Sequence, residues 1–250
     1  MTASVRVNAP PAPAATATAV SPAVPIAPAH DPGPAAVAFA VPSSMRLHYQ
    51  VVAEVRGQTR SAAGELVWRH DGESYEATFE IRAPALPART QRSTGRITAQ
   101  GLAPLRFSDR GRTEQATHFL RDKGTVVFSS NRPDAPLLPG AQDRLSVLLQ
   151  LAAMVAGQPA KFPPAATIAI QTADTRDAEP WLFTVGQVEE LHLPGGTVQG
   201  LKLTRNPRRE FDHKIELWLA PGMDYVPVRL RLTQPGGDSV DQLWSSTDRG

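Results

Sequence analysis

The 250-residue sequence predicts a mainly-β domain, an antiparallel sheet curved into an open, barrel-like form, with one central α-helix over about residues 141–156. Three observations point there. Apolar and polar residues alternate with period two through most of the chain beyond residue 45, as in half-buried strands. Turn signals interrupt that alternation at short intervals. A single stretch leaves period two for helical spacing. The 24 prolines and 18 glycines agree, since breakers at this density leave room only for short elements.

In chain order, residues 1–42 are nearly all Ala, Pro, Val and Thr and cannot bury a core. They are expected to form a disordered, partly polyproline-II tail or linker, reaching on the order of 100 Å at ~3.1 Å per residue. It reads either as a terminus without a role or as a tether from the folded domain to an anchor upstream of Met1. Residues 43–250 are expected to form one domain. Met45, Leu47, Tyr49 and Val51 alternate with Arg46, His48 and Gln50 to give the first strand, and Arg56-Gly57 turns it. Leu66 and Trp68 mark the second, ending at the hairpin signal Asp71-Gly72. Tyr75, Ala77, Phe79 and Ile81 make the clearest strand of all.

Residues 89–99 alternate too, but are polar on both sides, so this strand is expected either at a sheet edge or lining a wet cavity. Shorter strands follow near 104–109, 113–121 and 124–129. In AQDRLSVLLQLAAMVAG, Leu145, Leu148, Leu149, Ala152 and Val155 fall near helical spacing. Asp143 suits a first turn, Gly157 a C-terminal cap and Pro159 a stop. The surface of this helix is apolar almost all round, which predicts burial against a sheet. Strands resume at Ile168 and run to about 244, through the turns Pro194-Gly195-Gly196 and Pro235-Gly236-Gly237-Asp238. About a dozen short strands are expected.

Composition excludes more than it assigns. No cysteine means no disulfide, thiol nucleophile or thiolate metal site. A net charge of +2 gives no reason to expect nucleic acid as a partner. No run of 18 apolar residues predicts a membrane-spanning helix, and residues 1–20 show no signal-peptide pattern. Membrane association is therefore expected only through an anchor absent from this sequence. No P-loop, G-x-G-x-x-G, G-x-S-x-G or H-E-x-x-H motif occurs, so no cofactor, metal or catalytic residue is assigned. Asp143 and Ser146 lie three residues apart, but no histidine is placed by the sequence to activate the serine. Two basic groups stand out as possible anion or ligand contacts: Arg92 and Arg96 on the polar strand, and Arg205, Arg208 and Arg209 in TRNPRREFDHK, because guanidinium forks match carboxylates and phosphates. Solvated charge on a hairpin or edge is the alternative for both.

The segment PDAPLLPGAQDRLSVLLQLA (133–152) resembles a hallmark of the bacterial DUF 3108 family. LAPLRFSDRGR (102–112), RDAEPWLFTV (176–185), LTRNPRREFDHKIELWLAP (203–221) and YVPVRLRLTQPGGD (225–238) are similar to members of β-proteobacterial type. The resemblance spans roughly residues 45–245. It implies a cell-envelope or periplasmic protein but no activity, and no site residue comes with it. Its members typically carry a hydrophobic N-terminal segment ahead of a Pro-rich stretch, of which only the Pro-rich stretch is present here.

Three functions remain open at this level. The first is a non-enzymatic envelope protein holding an apolar, amphipathic or lipid-like ligand, or a segment of another envelope protein, in a cavity lined by residues such as Phe79, Ile81, Leu148 and Phe183. The second is a structural or scaffolding domain on a flexible tether. The third is a hydrolase-type enzyme, which requires polar residues such as His118, His213 and Asp212 to converge.

Overall fold

The alternating segments pair into one sheet. The computed structural model describes residues 38–84 and 86–249, all within the unit Ala36–Gly250; the predicted tail lies outside the described residues as far as residue 37. Along the chain come β1 (Met45–Val55), β2 (Gln58–His70), β3 (Ser74–Arg82), β4 (Arg89–Thr98), β5 (Gly101–Arg110), β6 (Glu114–Leu120), β7 (Thr125–Phe128) and β8 (Ala135–Pro136). There follow β9 (Gln142–Asp143), α1 (Ser146–Gly157), β10 (Thr167–Ala173), β11 (Ala178–Leu193), β12 (Gly196–Arg205), β13 (Lys214–Ala220), β14 (Val226–Thr233) and β15 (Ser239–Arg249).

Strand order is β8-β7-β6-β5-β4-β3-β2-β1-β15-β14-β13-β12-β11-β10-β9. Two sequential meanders are thus joined through their outermost strands, β1 and β15, from Met45↔Arg249 to Glu54↔Ser239. Every pairing is antiparallel except the short β9–β10 bridge. The free edges, β8 and β9, are close in sequence, and side chains tie them where no ladder does. Gln171 on β10 receives the Leu138 amide (2.8 Å) and donates to the Pro136 carbonyl (2.8 Å). Thr117 on β6 and Ser130 donate to the carbonyls of Asp174 and Thr175 beyond β10. The sheet is therefore a curved, open barrel.

Local chemistry explains the corners. Asp71 accepts the amides of Glu73 and Ser74 and the Ser74 hydroxyl, and these bonds hold its carboxyl at about 2. At the β4–β5 turn Gly101 adopts φ +95, and a Cβ there would stand 2.4 Å from the Gln150 amide oxygen. Gln150, on the helix, takes that space to accept the Leu102 amide at 2.7 Å. The upstream edge of the fold is docked as well: the Ala40 amide donates to Ala153 on α1, and the buried Pro42 carbonyl receives Trp68 Nε1 at 2.8 Å.

The helix starts five residues later than the sequence predicts. Gln142 and Asp143 are taken by the bridge to β10, and the Asp143 carboxylate accepts the amides of Leu145 (2.9 Å) and Ser146 (2.8 Å), two donors that the following helix leaves orphaned. The Ser146 hydroxyl returns a bond by accepting the Asp143 amide at 2.9 Å. Asp143 and Ser146 are thus a helix-start device. Once begun, α1 is buried on two sides. Val147, Leu148, Leu151, Ala152 and Val155 pack on Ile168, Phe183, Leu203, Leu217 and their neighbours. Leu145 and Leu149 pack into the other cluster, around Leu47, Leu66, Trp68 and Phe107. A helix apolar all round suits this interior position.

β4 is not an edge. It pairs with β3 on one side and β5 on the other, so its polar residues have a different reason.

Candidate functional site: a cavity between helix and sheet

Between α1 and the sheet lies a cavity of about 300 Å³, at the lower end of the range for ligand pockets. Leu66, Phe79, Ile81, Leu148, Ile215 and Leu230 give it an apolar lining. Of the four residues expected there, Phe79, Ile81 and Leu148 line it; Phe183 is instead fully buried in the packing under the helix. Tyr49 closes one side, donating to the Pro227 carbonyl at 2.7 Å and meeting Phe79 edge-on; burial pushes its phenol far above the ordinary range.

The polar end follows from strand parity. On β4 the odd positions belong to the inner face, where Ser93 and Gly95 are buried, so Arg89 and Gln91 line the cavity. The even positions carry Arg92 and Arg96, which are exposed; Arg92 pairs with Glu76 at 2.7 Å. This is the physical sense of a strand polar on both sides: one row faces water, the other faces the cavity.

Arg89 makes two bonds to Asp109, at 2.9 and 2.7 Å, and Gln91 adds a third. Burial opposes ionisation of Asp109, yet those donors hold its pKa below the ordinary value. Across the opening stands Trp181, with the guanidiniums of Arg144 and Arg205 at 5.8 and 4.6 Å from its ring. Arg205 is only 3% exposed, and one of its nitrogens contacts both Asp212 oxygens at 2.6 Å while another reaches the His213 carbonyl. Arg208 and Arg209 both pair with Glu179, at 2.5 and 3.1 Å. The TRNPRREFDHK hairpin end is therefore anchored by its own acids beside the opening. His213 itself lines the cavity, and burial, followed by the charge of Arg144, presses its pKa down.

Of the residues weighed for an enzyme, only His213 lines the cavity; Asp212 is engaged by Arg205, and His118 is exposed on β6. Among the described residues no group of three His, Cys, Asp or Glu is placed to hold a metal ion, and no helix is long and apolar enough to cross a membrane. Sequence reasoning missed Arg144, Gln91 and Gln234 at the opening. The parity of β4 could have found Gln91; Arg144 lies between a two-residue strand and a helix, where no periodicity applies.

The family model for proteins of unknown function DUF3108 matches residues 45–242, nearly the whole folded part. The chain belongs to the DUF3108 family. A search of curated proteins finds no match. Among solved structures, this DUF3108 chain is similar to a β-barrel-like protein of the DUF1849 family from Brucella abortus, at 13% identity and a TM-score of 0.51 over 82% of this chain and 97% of that one. It also matches a candidate exported protein with a YmcC-like fold from Bacteroides fragilis (10% identity, TM-score 0.39, 85% and 100% covered). A third match is a candidate outer-membrane lipoprotein-sorting protein domain from Vibrio parahaemolyticus (10%, 0.30, 82% and 85%). The first of these likenesses places the fold among barrel-like sheets; at such identities it speaks to fold alone.

Proposed function

We propose that this DUF3108 protein is a non-enzymatic cell-envelope protein that binds an apolar or amphipathic molecule beneath α1. The cavity is the observation that supports the reading. A fold able to bury Trp68, Phe107 and Phe183 completely leaves about 300 Å³ open beneath α1, with an apolar lining and a polar opening. Empty apolar space forfeits packing contacts, and each missing group in a core costs stability. An occupant with an apolar body recovers those contacts. The engagement of Asp109, Asp212 and Glu179 by arginines supports binding over catalysis, because these three carboxylates near the opening are held in ion pairs. Resemblance to envelope-type family members supports the location.

The test is native mass spectrometry of the full chain purified from its own host, with solvent extraction of the sample. A reproducible extra mass that extracts into solvent is expected. Leu148→Trp should abolish it, since the indole fills the cavity at an overpacking cost of about 1–3 kcal/mol. A clean apo mass together with no uptake of any added amphiphile would overturn the reading in favour of a scaffolding domain.

A further inference from the structure

The cavity wall is one-sided in charge. It contains Arg89, Arg144, Arg229 and His213, and no Asp or Glu. Two of these guanidiniums are occupied: Arg89 by Asp109, and Arg229 by Asp241 at 3.0 and 2.6 Å. Arg144 is different. It forms a long ion pair with Asp174, at 3.7 Å and beyond hydrogen-bond distance, with Asp177 and Asp109 in electrostatic range. It is 28% exposed and lies toward the face of Trp181, which fixes its place at the opening. His213 and the exposed Gln234 also line the cavity. Donors therefore share one cavity with the apolar walls of Leu66, Phe79, Ile81, Leu148, Ile215 and Leu230.

A half-buried cation gains most from a partner that is itself charged, and the apolar walls gain most from hydrocarbon. A second apolar pocket, bordered by Val51, Ala53, Ala62 and Leu86, shares the walls Ile81 and Val240 with the first, so apolar lining continues away from Arg144. Resting on the ligand-binding reading above, we propose that the cavity takes an amphiphile with an anionic headgroup, a carboxylate or a phosphate, held by Arg144 with His213 and Gln234, its chain running under Leu148 toward Ile81 and Val240.

The test titrates the delipidated full chain with three probes sharing one oleoyl chain: oleate, oleoyl lysophosphatidate and neutral monooleoylglycerol. At least one anionic probe should bind about tenfold or more tighter than the neutral one, the scale of a charge-assisted hydrogen bond. Preference for oleate identifies a fatty-acid site, and preference for lysophosphatidate a phosphate site. Arg144→Gln should erase the preference between anionic and neutral probes, with its folding read separately from a thermal-unfolding midpoint close to that of the wild type; Arg144→Lys should keep most of the preference. Monooleoylglycerol binding as tightly as both anions, or a preference that survives Arg144→Gln, overturns the headgroup assignment while leaving the cavity reading intact. If none of the three binds, the cavity reading fails and the headgroup falls with it.

Discussion

Asp143 provides the sharpest physical test of how this barrel is held together. Its carboxylate is fully buried where edge strand β9, central strand β4 and the start of α1 meet. It accepts two backbone amides and, from Ser93, a hydroxyl bond at 2.5 Å; Tyr75 lies 3.1 Å beyond Ser93 Oγ. Burial penalises the charged form more than those bonds favour it, so the carboxyl is pushed up to about 6. An unfolded chain ionises Asp near 3.9. Between about pH 4 and pH 6 the folded protein therefore holds the extra proton, and stability from this group is full below pH 4 and falls as pH rises through 6. The difference of about 2 units corresponds to on the order of 3 kcal/mol. Asp143→Asn keeps an acceptor for the Leu145 and Ser146 amides and offers Ser93 a donor, so it removes the charge and spares the geometry. Urea unfolding of both proteins from pH 4.5 to 7.5 isolates the effect from the exposed carboxylates. The variant should gain on the wild type as pH rises to a little above 6 and level off beyond it, by about 2 kcal/mol across that range. A flat difference across that range would refute the reasoning, and so would a wild type that gains on the variant, because it would mean that the three hydrogen bonds outweigh burial.

Other outcomes follow from the same geometry. Arg205→Met leaves Asp212 without its main partner and uncovers one face of Trp181; thermal unfolding should show a loss of about 3 kcal/mol, and a change below about 0.5 kcal/mol, the size of a surface effect, would count against a structural role for the pair. Gly101→Ala puts a methyl group at φ +95 into the Gln150 amide, so it should cost about 2 kcal/mol and expose the Leu102 amide to hydrogen exchange; unchanged protection there would contradict the helix-to-turn link. Leu148→Trp and Arg144→Gln separate cavity from headgroup, one removing all uptake and the other the anionic preference.

Much of this molecule is legible along the chain because a strand's inner and outer faces are a local property. Met45, Leu47, Tyr49 and Val51 announce β1, and Tyr75, Ala77 and Phe79 announce β3, with no knowledge of what they touch. Asp71-Gly72 and Pro194-Gly195-Gly196 fix hairpins through backbone preferences that also act locally. The helix was visible through its spacing, but its first residue was not: whether residues 142–145 coil depends on β10, which arrives more than twenty residues later to claim Gln142 and Asp143.

The candidate site shows the same division. Alternation marked residues 89–99 as polar on both sides, and the family resemblance followed from segments read in order. Which polar row faced the interior was undecidable, since alternation yields two faces and no direction. Arg92 and Arg96 attracted notice because they share a face, and that face is the outer one; Arg89, on the other parity, lines the cavity. Arg205, Arg208 and Arg209 read as an open anion site because Asp212 and Glu179 were not yet beside them. The chain determines elements, faces and turns, because these depend on neighbours a few bonds away. Only the closed fold decides which charges are neutralised, which guanidinium keeps only a distant partner and where a gap remains in the packing, because each is a sum over groups that folding alone brings together.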